Sequence, residues 1–163
     1  MDAPIADMAL PLVSALPVEH LFDMRVELAP VQLIPTAVGT RMTFVATGGV
    51  VDGPRLTGVL LPGGGDWLTV GDDGAGRVDV RATIKTHDGA LIHVEARGVI
   101  VLPADGLARL GAGEALPFAD TYVRTTPTFE TADPRYSWLA QTVTVAYNAL
   151  SPNRVDYRVH KVL

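Results

Sequence analysis

The chain has 163 residues, a net charge of −5, 13 Lys and Arg together, and no cysteine. That length suits one domain with a real core. The composition excludes disulfide frameworks, thiolate metal sites and cysteine nucleophiles, and it argues against a phosphate-tracking nucleic-acid surface. An apolar share of 48% against only 19% charged residues excludes disorder and points to apolar surface hidden in an oligomer or around a ligand cavity.

Residues 1–17, MDAPIADMALPLVSALP, have an apolar middle. Acidic residues stand where a signal peptide needs positive charge, and three prolines interrupt the run. The segment reads as a leader, or as an arm on a neighbouring subunit, of a cytoplasmic protein. Strand patterns then recur: His20–Leu28, Gly39–Val51, Arg55–Leu61, Asp66–Val70, Arg77–Lys85 and Ala90–Leu102, with turns such as 62–65 and 71–74 between them. Pro103–Gly113 reads as a short helix opened by Pro and closed by Gly. Short strands follow at Ala119–Thr126 and Thr128–Thr131, then a helical turn at Pro134–Leu139. Thr142–Leu150 and Arg154–Leu163 form a closing hairpin. Val, Ile and Thr number 41, and Gly and Pro 28, as expected of all-β structure. No apolar run approaches the roughly 18 residues of a membrane span. The expected architecture is a single antiparallel meander closing into an up-and-down, lipocalin-like β-barrel. Residues 18–163 form that domain, and barrels of this size have room for a small ligand.

One hairpin has a readable register. Asp88-Gly89 lies between two alternating runs, a strong hairpin signal. A two-residue loop would mix polar and apolar residues on both faces. A three-residue loop, with Gly89 in the left-handed bulge position, pairs Asp79 with Arg97, Arg81 with Glu95 and Thr83 with His93. Matched charges and segregated faces favour the second register. The polar face, Asp79, Arg81, His93, Glu95 and Arg97, is then either solvated or the lining of a wet cavity.

Motifs of known chemistry are absent, and the histidines at 20, 87, 93 and 160 lack metal-ligand spacing. Arginine outnumbers lysine 11 to 2. A GC-rich genome accounts for that, or some arginines bind carboxylates or enolates bidentately. Asp66-Trp67 pairs a carboxylate with an indole, either an acid–base group under a stacking wall or a turn Asp beside a core Trp. Asp120, Tyr122 and Arg124 share one face of their strand. Glu130 and Trp138, with Phe129 and Tyr136, form either a rim or packing.

Three stretches carry a family resemblance: GGVVDGPRLTGVLLPGGGDW (48–67), RVDVRATIKTHDGALIHVEARG (77–98) and YVRTTPTFETADPRYSWL (122–139). In this order they resemble the uncharacterised domain-of-unknown-function family 3237, over about residues 18 to 163. The chain departs from the family pattern at Ala82, His93 and Ala140, and in its last twenty residues. The resemblance implies a small, often oligomeric β-barrel without a settled activity. Its motif positions fall on Asp66, Trp67, Asp79, Arg81, Arg97, Arg124, Phe129, Glu130, Tyr136 and Trp138.

The leading expectation is a cofactor-independent barrel that binds a small organic anion or polar aromatic molecule, with no metal, nucleic-acid or membrane partner. It would catalyse proton-transfer chemistry as an isomerase, lyase or cyclase. Asp66 or Tyr122 would move the proton. Arg81, Arg97 and Arg124 would hold the anion, with Arg81 and Arg97 pointing into a cavity shared with Asp66 or Trp67. Trp67, Asp79, His93, Glu130 and Trp138 complete the expected ligand site. The alternatives are a carrier or sensor using the same cavity, and a structural oligomeric barrel.

Overall fold

The computed structural model describes residues 13–163, so the expected leader lies largely outside the described residues. The chain forms β1 (Val18–Leu28), β2 (Gln32–Thr36), β3 (Gly39–Asp52), β4 (Gly58–Leu60), β5 (Gly65–Val70), β6 (Gly76–Thr86) and β7 (Leu91–Val101). Helix α1 (Gly106–Gly111), β8 (Tyr122–Glu130), β9 (Thr144–Ser151) and β10 (Arg154–Val162) follow. All pairings are antiparallel, most of them between strands adjacent in sequence, and β1 closes the ring by pairing with both β10 and β3. β1 and β2 lie along one side of the long β3, and β4 and β5 along the other. Ten strand segments thus make eight staves of a closed barrel, the architecture expected from the sequence. Closure leaves the main sheet with no long unpaired edge.

The three-residue register is the one observed: Asp79 faces Arg97, Arg81 faces Glu95 and Thr83 faces His93. The Gly89 N–H donates to the Thr86 carbonyl, and Gly89 has φ +93°, where only glycine sits without strain. Two expectations differ in detail. β2 has no alternation and contains Pro35, so no strand is legible there, yet it pairs residue for residue with β3. The two short strands after residue 119 are one strand, β8, running through Pro127. A missing N–H is tolerated there because β8 meets β9 only at Arg124–Tyr147 and Thr125–Ala146. The Thr144 hydroxyl donates to the Pro127 carbonyl instead.

Inside and outside follow the strand period of two. Val78, Ala82 and Ile84 of β6, with Ile92, Val94 and Ala96 of β7, point inward and are buried. One end of the barrel is packed solid by Leu21, Phe22, Ile84, Ile92, Phe129, Tyr136 and Leu139. The Tyr136 hydroxyl donates to Asp88 at 2.9 Å and ties the 3-10 turn Ser137–Gln141 to the β6–β7 hairpin. At the opposite end, α1, the 71–75 turn and the β9–β10 turn surround an opening.

Candidate functional site in the barrel interior

The opening leads into a cavity of about 1120 Å³ whose walls are mostly apolar, among them Met24, Met42, Phe44, Val80, Ala82 and Phe129. Among the described residues, two wall residues are titratable, Asp66 and Tyr157. Asp73 and Arg154 reach the cavity only at its mouth, beside the 71–75 and β9–β10 turns.

Asp66 enters the interior through local backbone geometry. Gly63 has φ +99°, and a Cβ on Gly65 would lie 2.2 Å from the Phe44 carbonyl oxygen. The glycines therefore let the chain turn and press against β3 and β6. β5 starts there, with Asp66 between Phe44 of β3 and Val80 of β6 on the inward face. Its Oδ1 accepts the Asp79 N–H at 2.9 Å, and no cation pairs with it among the described residues. Burial, only partly offset by that hydrogen bond, pushes its carboxyl up to about 6. Tyr157, on the inward face of β10, packs against the core. Burial first, and then the charge of Asp66, raises its phenol well above the ordinary tyrosine range. Its hydroxyl stays protonated and is a hydrogen-bond donor at any physiological pH.

The other expected site residues lie elsewhere. Arg81 and Arg97 are on the outer face, their side chains 44% and 61% exposed. Arg81 donates to Asp79 at 2.7 Å, and Arg97 pairs with the same carboxylate at 3.0 Å. His93 meets Glu95 at 3.4 Å, and Glu130 lies opposite His93. The expectation that Arg81 and Arg97 share a cavity with Asp66 or Trp67 is therefore corrected. The charge-matched face is the solvated one, because paired charges need no desolvation outside and the apolar face fills the barrel. Trp67 follows Asp66 and so points outward, 40% exposed. Trp138 packs on the closed end under Arg55, 4.5 Å from its ring centre.

Tyr122, Arg124 and Arg97 do come together, but in an outer groove of about 570 Å³. There the Arg124 guanidinium lies 4.7–4.9 Å from the rings of Phe118, Tyr122 and Tyr147. Of the residues expected to hold a ligand or move a proton, Asp66 alone reaches the interior. The interior residue missed by the sequence reading is Tyr157. Its signal was present: in 154–160, RVDYRVH, Val155, Tyr157 and Val159 share one face and the charged residues the other.

A family model described as "Protein of unknown function (DUF3237)" matches residues 16–162. The chain belongs to this family. A UPF0311 protein of Bradyrhizobium diazoefficiens is 34% identical over 128 residues, covering 78% of this chain and 84% of the relative. The crystal structure of a conserved protein of unknown function from Rhodopseudomonas palustris superposes with a TM-score of 0.87 at 30% identity, covering 93% of this chain and all of that one. A β-barrel-like protein from Acinetobacter baumannii gives 0.77 at 32% identity, covering 93% and 99%. These two proteins thus share this barrel. Among the described residues, no helix is long and apolar enough to cross a membrane.

Proposed function

We propose that the barrel interior binds a small polar aromatic molecule and that Asp66 moves a proton on it, without a cofactor. The observation that carries this reading is a lone carboxylate set into an apolar cavity. A stability-driven core would place a methyl-bearing side chain there, because an unpaired buried carboxylate is costly. A group pushed up to about 6 exchanges protons readily near neutral pH, which suits a general base or acid. The cavity is larger than most single-ligand pockets, and its mostly apolar walls favour an aromatic body. Of the two ligand classes expected from sequence, the small anion fits poorly. Among the described residues, the only arginine reaching the cavity is Arg154 at the mouth, and an anion beside Asp66 would be repelled.

The reaction classes that fit are isomerisation and addition or elimination steps gated by one proton transfer. A non-catalytic carrier would use the same walls without needing Asp66. The test is uptake of Nile red, an uncharged apolar fluorophore. Wild-type protein should enhance and blue-shift its emission, and Ala96→Trp, which fills the cavity from β7, should weaken its binding at least tenfold. Equal binding by wild type and Ala96→Trp would place the dye outside the barrel and defeat the reading.

A further inference from the structure

The structure assigns Asp66 and Tyr157 as a base and hydrogen-bond donor pair for an uncharged, enolisable ketone on an apolar skeleton. This inference rests on the interior being the ligand site and adds the chemistry of its substrate.

Asp66 on β5 and Tyr157 on β10 line the same cavity, with the β1 and β3 staves between them around the ring. A ligand between them contacts one acceptor and one donor from different sides. Among the described residues, no side chain hydrogen-bonds to either group. Asp66 accepts only the Asp79 backbone N–H, through Oδ1, and Tyr157 has no hydrogen-bond partner among the described residues. Carbonyl chemistry needs these two functions at once. The carboxylate takes a proton from the carbon next to the carbonyl. The C–H electron pair becomes the C=C bond, and the carbonyl π pair moves to oxygen. The Tyr157 O–H hydrogen-bonds that developing oxyanion, which in an apolar site is worth far more than in water. The Asp66 carboxylic acid then returns the proton to the same carbon, or to a conjugated one, and the carbonyl reforms. Nothing is oxidised and no second reactant is required. An aspartate base with a tyrosine donor in an apolar site is an established solution to this chemistry on an unrelated fold. A tyrosine that stays protonated donates to the oxyanion rather than competing for the proton.

The charged groups around Asp66 are few. Asp79 offers its backbone N–H and keeps its carboxylate on the outer face, among Arg81 and Arg97. The flanking Phe44 and Val80 do not titrate, and Asp73 and Arg154 stand at the mouth. A rate dependent on the free carboxylate therefore reports Asp66.

The probe is 2-tetralone, an uncharged bicyclic ketone, incubated with the full chain in D₂O. Proton NMR follows loss of the α-hydrogen signals, and ligand-observed NMR follows binding. Wild-type protein should accelerate exchange at least tenfold over buffer, with a rate that rises with pH through about 6. Asp66→Asn keeps the Oδ1 acceptor for the Asp79 N–H, so it should fold and bind the ketone while its exchange falls to background. Tyr157→Phe should bind with similar affinity and exchange at least tenfold more slowly. Binding without exchange, or exchange that survives Asp66→Asn, overturns the inference and leaves the interior as a ligand site. An unchanged rate in Tyr157→Phe removes the tyrosine from the chemistry and overturns the pair. Failure of wild-type protein to bind the ketone while it still takes up Nile red overturns the pair and leaves the cavity reading; failure to take up either overturns both.

Discussion

Asp66 gains little for stability from where it sits, and that sets its pH behaviour. Its carboxyl rises from an ordinary 3.8 to about 6 in the folded protein. The folded state therefore holds this proton more tightly than the unfolded state does. The contribution is fully favourable below pH 3.8 and is lost as pH rises through about 6. Asp66→Asn should raise stability at pH 7.5 by up to ~3 kcal/mol, an upper bound because the group faces a cavity that water can enter. The same substitution should change stability little at pH 4. Urea unfolding of both proteins at the two pH values checks this, and a loss of stability at pH 7.5 would contradict an uncompensated carboxylate. The outer-face arginines should behave differently. Arg81 and Arg97 are exposed and share Asp79, so Arg97→Ala should cost no more than ~1 kcal/mol. It should also leave Nile red binding unchanged, which a fluorescence titration measures. Loss of dye binding in that variant would mean the outer face belongs to the site.

Among the elements, the β6–β7 hairpin turns on one glycine. Gly89 holds φ +93° with open space around its α-carbon, so Gly89→Ala meets no clash and should cost only about 1 kcal/mol of backbone strain. Gly65 is the contrasting case. A Cβ there would stand 2.2 Å from the Phe44 carbonyl oxygen, so Gly65→Ala must push β5 away from β3. It should cost more than Gly89→Ala and displace Asp66 as well. Denaturation midpoints of the two variants rank the costs. Equal midpoints would show that β5 adapts freely. The hairpin register was legible because three opposite pairs, Asp79–Arg97, Arg81–Glu95 and Thr83–His93, must all match at once. β2 was not legible, because it is held by the backbone of β3 while its own side chains are all exposed.

At the scale of the whole molecule, the barrel is stoppered at one end and open at the other. The stopper is a continuous apolar cluster closed by Tyr136 and Leu139. Ile92→Ala, fully buried in that cluster, should cost about 2–5 kcal/mol, read as a lower urea midpoint. The open end has Leu107 of α1, 58% exposed, at its rim. Entry to the cavity passes this rim, so Leu107→Asp should alter the rate of Nile red uptake more than it alters stability. Stopped-flow fluorescence distinguishes the two.

Alternation along the strands, the Asp-Gly turn and the recurring glycine and proline breaks are local signals, and they were enough for an antiparallel meander, the register of its clearest hairpin and the family. They were enough to mark Asp66 as a candidate, since it follows a run of three glycines. They could not tell which face of that hairpin looks inward. Either face of a two-sided strand can line a cavity until the curvature of the closed sheet decides, and closure is a property of all eight staves together. The ring turned Val80, Ala82, Val94 and Ala96 inward and left the arginine ladder in water, where its charges keep their hydration. The same closure brought Tyr157, 91 residues further along the chain, into the cavity with Asp66. A partnership across that distance has no local signature, because it depends on how many staves lie between β5 and β10 and on which way each one faces.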